Sequence, residues 1–278
     1  MHKVWKGMPI QLALGVIVAV LVLAVVAPVL TSRLAGWPQD DAGEPRAPVS
    51  RTPAADLVTA YKGESPQQTE ARRRMIDRDL AGRDITDEVV LRAMGKIPRH
   101  EFVPGDLRGS AYADHPLPIG HDQTISQPYI VALMTQLAGV KEGSRALDIG
   151  TGSGYQAAVL GEICKEVSSI EIVEPLAKES TKRLADLGYK NVTVRHGDGY
   201  QGWPEKGPFD AIIVAAAPDH VPQPLVDQLA PGGKLVIPVG KLYQELLLIE
   251  RDKDGKVQQQ GGIGVRFVPM TGEAQKRK

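Results

Sequence analysis

The stretch Ala146–Leu160, ALDIGTGSGYQAAVL, reads as a short buried strand, a glycine turn and the start of a helix. Gly150, Gly152 and Gly154 alternate with Thr151 and Ser153, so the backbone of the turn can approach a ligand closely. The following helix would turn unpaired N–H groups toward whatever sits there. Asp148 precedes the turn, and the G-x-G-x-G spacing departs from the G-x-G-x-x-G of pyrophosphate-binding turns. An acidic residue at that place suits a cationic ligand better than an anionic one, and S-adenosylmethionine, with its sulfonium and ammonium charges, is such a ligand. A tight strand-to-helix turn with no ligand is the plain alternative.

Glu171 falls at the carboxyl end of the next apolar run, EVSSIEIVEP, about 20 residues after the turn, where α/β nucleotide folds hold ribose hydroxyls. A solvated charge near a strand end is the competing reading. Asp198 and Gly199 follow a third run, NVTVRHGDGYQGW, again in a polar loop at a carboxyl end. Thr124 and Ser126 stand at the mouth of an apolar helix expected from about Pro128 to Leu137, where they suit helix capping as well as a ligand contact. His115 and His121 lack the paired spacing of a zinc site, and Cys164, the only cysteine, sits in helical AAVLGEIC as a buried thiol. No metal site is expected.

These residues need a scaffold that brings loops together. Strands alternate with helices through LAKESTKRLADLG, FDAIIVAAAP, VPQPLVDQLA and GGKLVIPVG. The pattern predicts an α/β fold with a Rossmann-like, doubly wound, mainly parallel sheet, whose strand ends carry the ligand site. QELLLIER and GVRFVPM follow without helices between them, which predicts an antiparallel edge. Upstream, two helical runs carry Ile76 with Leu80 and Val90 with Met94, with Asp87 able to cap the second and Pro98 helping to end it. The arginines of the segment 67–104 read as a solvated face rather than a phosphate site.

The N-terminus is of another kind. Residues 1–9 are short and basic, and residues 10–30 are uncharged and almost wholly aliphatic, long enough to span a bilayer as a transmembrane anchor or signal-anchor helix. A cleaved signal peptide, with a shorter apolar core and a small-residue cleavage site, is the alternative. Lys3 and Lys6 against Arg33 and Arg46 leave the orientation nearly tied. Residues 31–65 read as a flexible Pro-rich linker, 66–272 as the catalytic domain and 273–278 as a basic tail. Lys plus Arg and Asp plus Glu both number 33, so no overall field recruits nucleic acid.

DIGTGSG, Glu171 at its distance and GDG together resemble a class I S-adenosylmethionine-dependent methyltransferase. QTISQPYIVALMTQL, RHGDGYQGW, PFDAIIVAAAP, LAPGGKLVIPVG and VRFVPMTG are, in order and spacing, similar to the protein-L-isoaspartate O-methyltransferase family over roughly Arg72 to Gly272. The resemblance implies a modified Rossmann sheet, S-adenosyl-L-methionine as cofactor, and methylation of the misplaced carboxylate of L-isoaspartyl residues in damaged proteins and peptides. It implies Ser126 as the active-site serine. Thr124, Ile125, Asp148, Gly150, Gly152, Glu171, Asp198, Gly199 and Thr271 become cofactor contacts, and Val265, Arg266 and Phe267 the segment along the substrate peptide. The remaining readings are another S-adenosylmethionine-dependent methyltransferase, a nicotinamide oxidoreductase, or a catalytically silent membrane-tethered binding module. Because the methyl donor is made in the cytosol, the catalytic domain is expected there, tethered to the membrane by the N-terminal helix, with periplasmic placement left open.

Overall fold

The glycine turn lies at the centre of a seven-stranded sheet in the computed structural model of the chain, which describes residues 54–276. The anchor expected at residues 10–30 lies outside the described residues, and among the described residues no helix is long and apolar enough to cross a membrane.

An N-terminal helical layer comes first: α1 (Ala54–Leu57), α2 (Pro66–Arg74), a π-helical turn Met75–Ala81, and α3 (Glu88–Lys96). Ser65 and Gln68 form a reciprocal capping box on α2, and the Asp87 side chain accepts from the Val89 N–H to start α3. A small hairpin, β1 (Leu117–Gly120) and β2 (Gln123–Ile125), then leads into α4 (Pro128–Ala138). The alternating part follows as β3 (Arg145–Ile149), α5 (Tyr155–Ile163), β4 (Glu166–Glu171), α6 (Glu174–Asp186), β5 (Val192–His196), β6 (Phe209–Val214), α7 (Gln223–Asp227) and β7 (Leu229–Val239). Two further strands, β8 (Gln244–Arg251) and β9 (Val257–Val265), complete the sheet.

The strand order is β5-β4-β3-β6-β7-β8-β9, parallel through β7 and antiparallel beyond it. The chain winds outward from β3 to β5, then returns to lay β6 on the other side of β3. That reversal opens a crevice at the carboxyl ends of β3 and β6, where open α/β sheets bind ligands. Side chains alternate between the two faces: Ala146, Ala211 and Ile213 pack with the α3–α5 layer, while Leu147, Ile149, Ile212 and Val214 pack with α7 and Tyr200. Cys164 is buried, and burial pushes its thiol up to about 12, which makes it a core residue.

Four sequence expectations change. The packed domain begins before residue 66, because Leu57 and Val58 are buried and the Glu64 side chain, fully buried, pairs with Arg72 at 2.6 Å. Arg72 is therefore no part of a solvated face: it also donates to the carbonyls of Thr59 and Lys96. At the other end packing continues past residue 272, with Gly272–Gln275 a 3₁₀ turn and Ala274 buried. The last strand is Val257–Val265 rather than GVRFVPM. Pairing with β8 outweighs the low strand propensity of its Gln and Gly residues, and the chain beyond Val265 leaves the sheet except for a bridge from Pro269 to Ala217.

Candidate active site

The loop after β3 is held by the end of β4 and by its own turns. The N–H groups of Gly150 and Thr151 both donate to the Ile170 carbonyl, Gly154 N–H donates to Thr151, and Tyr155 N–H donates to the Ser153 hydroxyl. Gly150, Gly152 and Gly154 all have positive φ, at 88°, 51° and 90°, which a side chain would strain. A Cβ on Gly152 would also sit 3.3 Å from Ile119 of the β1–β2 hairpin. The amides of Gly150, Thr151, Gly154 and Tyr155 are thus occupied within the fold. The turn is a close-approach surface for a ligand.

Glu171 ends β4 and lines the same cavity while nearly buried. Its two oxygens accept from the Gly152 and Val173 N–H groups at 2.7 and 2.9 Å, so it braces the glycine loop and keeps lone pairs for a ligand. Asp198 follows β5 and accepts from Tyr200 N–H at 2.9 Å and from Glu273 N–H at 2.7 Å, tying the C-terminal turn to the sheet. Gly199 is required by packing, since a Cβ there would lie 2.3 Å from Ile149. Ala217, beyond β6, donates to the Val268 carbonyl and accepts from Met270 N–H, both at 2.8 Å. This stitches residues 268–271 across the crevice as its outer wall.

Of the expected cofactor contacts, Thr124, Ile125, Gly150, Gly152, Glu171, Asp198, Gly199 and Thr271 line one cavity, together with Ser126. Asp148 does not. It is fully buried inside β3, where its Oδ2 accepts from the Ser169 hydroxyl at 2.7 Å, and Ser169 in turn lies 2.5 Å from the Thr151 hydroxyl. Desolvation, with a smaller push from Glu171, raises its carboxyl to about 7. Asp148 thus holds the loop from below through Ser169 and Thr151.

Val265, Arg266 and Phe267 line a second, open groove of about 740 Å³ that shares Thr124, Ser126 and Ala215 with the first cavity. Ser126 stands at the junction. Neither it nor Thr124 caps α4, whose cap residue is Gln127, its side chain turned to Asp114 rather than to the helix N–H groups. Asp114 supplies that service from outside, accepting from Tyr129 N–H at 3.0 Å. The Ser126 carbonyl accepts from buried Arg99 at 2.7 Å, while Arg99 also donates to Ala111 and lies over the Tyr155 ring at 4.5 Å. Among the described residues the Ser126 hydroxyl makes no hydrogen bond, which leaves it as a donor at the meeting of two cavities.

Sequence reading misses Ala215, Met270 and Gln244, and it sets Arg99, which is fully buried, on the solvated face. The strand-end rule reaches Ala215 once β6 is set beside β3. Arg99 and Gln244 carry no spacing signal, since each acts on backbone far away in the chain.

A mainly parallel sheet with a glycine-turn cavity at its reversal point, an acidic brace at the end of the second strand and a separate groove opening beside it define a class I S-adenosylmethionine-dependent methyltransferase. The family profile of protein-L-isoaspartate(D-aspartate) O-methyltransferase matches residues 70–275, and the chain belongs to that family. A protein-L-isoaspartate O-methyltransferase of Opitutus terrae is 55% identical over 216 residues, 77% of this chain and 93% of the relative. One from Polaromonas sp. is 54% identical over 198 residues, 70% of this chain and 94% of the relative. A solved protein-L-isoaspartate O-methyltransferase superposes with a TM-score of 0.66 at 31% identity, covering 73% of this chain and 67% of that one. A Plasmodium falciparum structure described as a beta-aspartate methyltransferase in complex with S-adenosyl-L-homocysteine gives a TM-score of 0.62 at 31% identity, covering 71% of this chain and 96% of that one.

Proposed function

We infer that this chain transfers the methyl group of S-adenosyl-L-methionine to the free carboxylate of L-isoaspartyl residues in damaged proteins and peptides. The observation that carries the residue-level reading is the place of Ser126, on the rim shared by the glycine-turn cavity and the groove bearing Val265, Arg266 and Phe267.

The cavity's residues fit the cofactor by their chemistry. Glu171 has acceptor capacity for the ribose hydroxyls, Asp198 and Gly199 sit at the adenine end with Ile149 and Met270 as apolar walls, and the glycine loop with Thr124 and Ile125 takes the methionine end. Thr271 stands at the start of the closing 3₁₀ turn. Asp148 contributes by supporting the loop. When bound, S-adenosyl-L-methionine supplies an electrophilic methyl group on a sulfonium.

The acceptor needs little activation. A carboxylate is ionised at neutral pH, so no strong general base is required. The chain must align it and keep water away. Ser126 donates a hydrogen bond to one carboxylate oxygen and leaves the other to attack, and Arg99 fixes the backbone that carries Ser126. The methyl ester carries a far better leaving group, methoxide, than the ionised carboxylate does, so the neighbouring backbone nitrogen attacks the ester carbonyl, loses its proton and expels methanol to close a succinimide without further help, which begins repair.

In Ser126→Ala, kcat on an isoaspartyl peptide falls about 100-fold, the scale of losing one well-placed donor, while affinity for S-adenosylhomocysteine stays within about twofold. Unchanged turnover refutes the assignment. Methyl transfer to the normal aspartyl isomer at a similar rate would instead favour another methyltransferase.

Residues 10–30 act as a membrane tether, supported by their uncharged aliphatic run, with the catalytic domain facing the cytosol that supplies the methyl donor. A periplasmic fusion reporter attached after residue 278 stays silent on this reading. An active reporter overturns it.

A further inference from the structure

The turn joining β7 to β8 shows Leu242 and Tyr243 to solvent, each 94% exposed. Val89, at 47%, is the next most exposed large apolar side chain among the described residues. Single exposed apolar residues are ordinary, whereas two adjacent ones on a tip need an explanation.

The turn that presents them is fixed. Gly240 has φ 131° and donates to the Pro218 carbonyl at 2.9 Å, and a Cβ there would meet the Tyr243 carbonyl oxygen. Lys241 pairs with Asp219 at 3.0 Å. Gln244 exchanges two hydrogen bonds with the backbone of Phe267, accepting at 2.6 Å and donating at 3.1 Å, so its side chain clips the turn to the groove wall. Leu242 and Tyr243 are thus held at the rim of the groove that opens from Ser126, whose further apolar lining is Ile130, Val265, Phe267 and Val268.

We propose that Leu242 and Tyr243 form an apolar subsite that takes a large apolar side chain flanking the isoaspartyl residue of the substrate peptide. The proposal rests on the reading of the Ser126 groove as the acceptor site. Continuity selects the occupant: the groove shares Thr124, Ser126 and Ala215 with the cofactor cavity, so a peptide that delivers its carboxylate to Ser126 runs past this turn. A groove of about 740 Å³ also exceeds what one carboxylate side chain needs and suits a ligand of several residues. The preference has a use. Large apolar side chains are normally buried in folded proteins, so a damaged site flanked by one becomes reachable chiefly where the target has locally unfolded.

The test uses the full chain and two isoaspartyl hexapeptides that differ only at the flanking residues, Phe in one and Ser in the other. Wild type favours the Phe peptide about tenfold in kcat/KM, chiefly through KM. The double variant Leu242→Ser, Tyr243→Ser brings the ratio to about one by raising KM on the Phe peptide, and Leu242→Met, Tyr243→Phe keeps the preference. Equal treatment of both peptides by wild type overturns the subsite. So does an equal loss on both in the Ser double variant, or a preference that survives that variant while self-association or binding to phosphatidylcholine vesicles falls. No methylation of either peptide by wild type overturns the acceptor reading itself, and the subsite with it.

Discussion

The two cavities that meet at Ser126 are built in opposite ways. The cofactor cavity is floored by the ends of β3, β4 and β6, the Gly150, Thr151 and Gly152 amides of its loop are held by the end of β4, and its carboxylates, Glu171 and Asp198, each brace two separate backbone segments. The second groove, proposed to take the peptide, is walled by the β7–β8 turn and the segment after β9, and much of its lining, including Lys241, Leu242, Tyr243 and Arg266, is exposed. A site for one invariant small molecule gains from rigid preorganisation, since little ordering remains to be done on binding. A site for isoaspartyl residues in many sequence contexts gains from a fixed reacting edge, which the proposed function puts at Ser126, beside a wall whose side chains are exposed.

If that contrast is right, removing a brace from the first cavity does far more than loosening the wall of the second. Glu171→Ala frees the Gly152 and Val173 N–H groups together and removes the acceptor offered to the ribose. Charge-assisted bonds are worth about 1.5–3 kcal/mol each, so affinity for S-adenosylhomocysteine falls at least about 100-fold by calorimetry. Retention within fivefold would mean that the loop keeps its shape without its brace, and the contrast would fail.

The groove side gives the smaller counterpart. Gln244→Ala removes both hydrogen bonds to Phe267 and releases one wall, so KM for an isoaspartyl peptide rises about fivefold, the size of one or two neutral hydrogen bonds, with S-adenosylhomocysteine affinity within twofold. A matching loss of S-adenosylhomocysteine affinity would show that the two cavities are one mechanical unit.

The same contrast explains what could be read from the sequence. The cofactor cavity rests on short-range rules: a glycine turn after an apolar run, and an acid at the next strand end. Those rules mark Gly150, Gly152, Glu171 and Asp198, which the fold gathers around one cavity. They misplaced Asp148, because an acid next to a glycine turn looks the same whether it faces the ligand or the strand behind it. Only the β3–β4 register, which sets Asp148 opposite Ser169, decides between them. The groove depends on contacts between distant segments, such as Gln244 with Phe267 and Arg99 with Ser126, and no local pattern marks those. The family resemblance supplied Ser126 and the segment 265–267, while the exposed pair on the β7–β8 turn emerged only once β7 and β8 had been placed. In the N-terminal layer the arginine run looked solvated because charge runs usually are, and the buried partner that reverses this, Glu64, lay in what composition marked as linker.

The smallest effect concerns the floor of the cofactor cavity and sharpens the idea that it is braced from below. Burial raises the Asp148 carboxyl to about 7, well above the value near 4 of the unfolded chain. Below pH 4 the group is protonated in both states and costs folding nothing. Between pH 4 and 7 the unfolded chain ionises it while the folded chain keeps its proton, so stability falls as pH rises, and the loss levels off above about 7. Asp148→Asn has no proton to lose and keeps an amide oxygen able to accept from Ser169. Its melting temperature relative to wild type therefore climbs by a few degrees between pH 5 and pH 8. Parallel melting curves across that range would show that Asp148 is ionised in the folded chain, and the floor would then be held by a charge with support from outside β3 and β4.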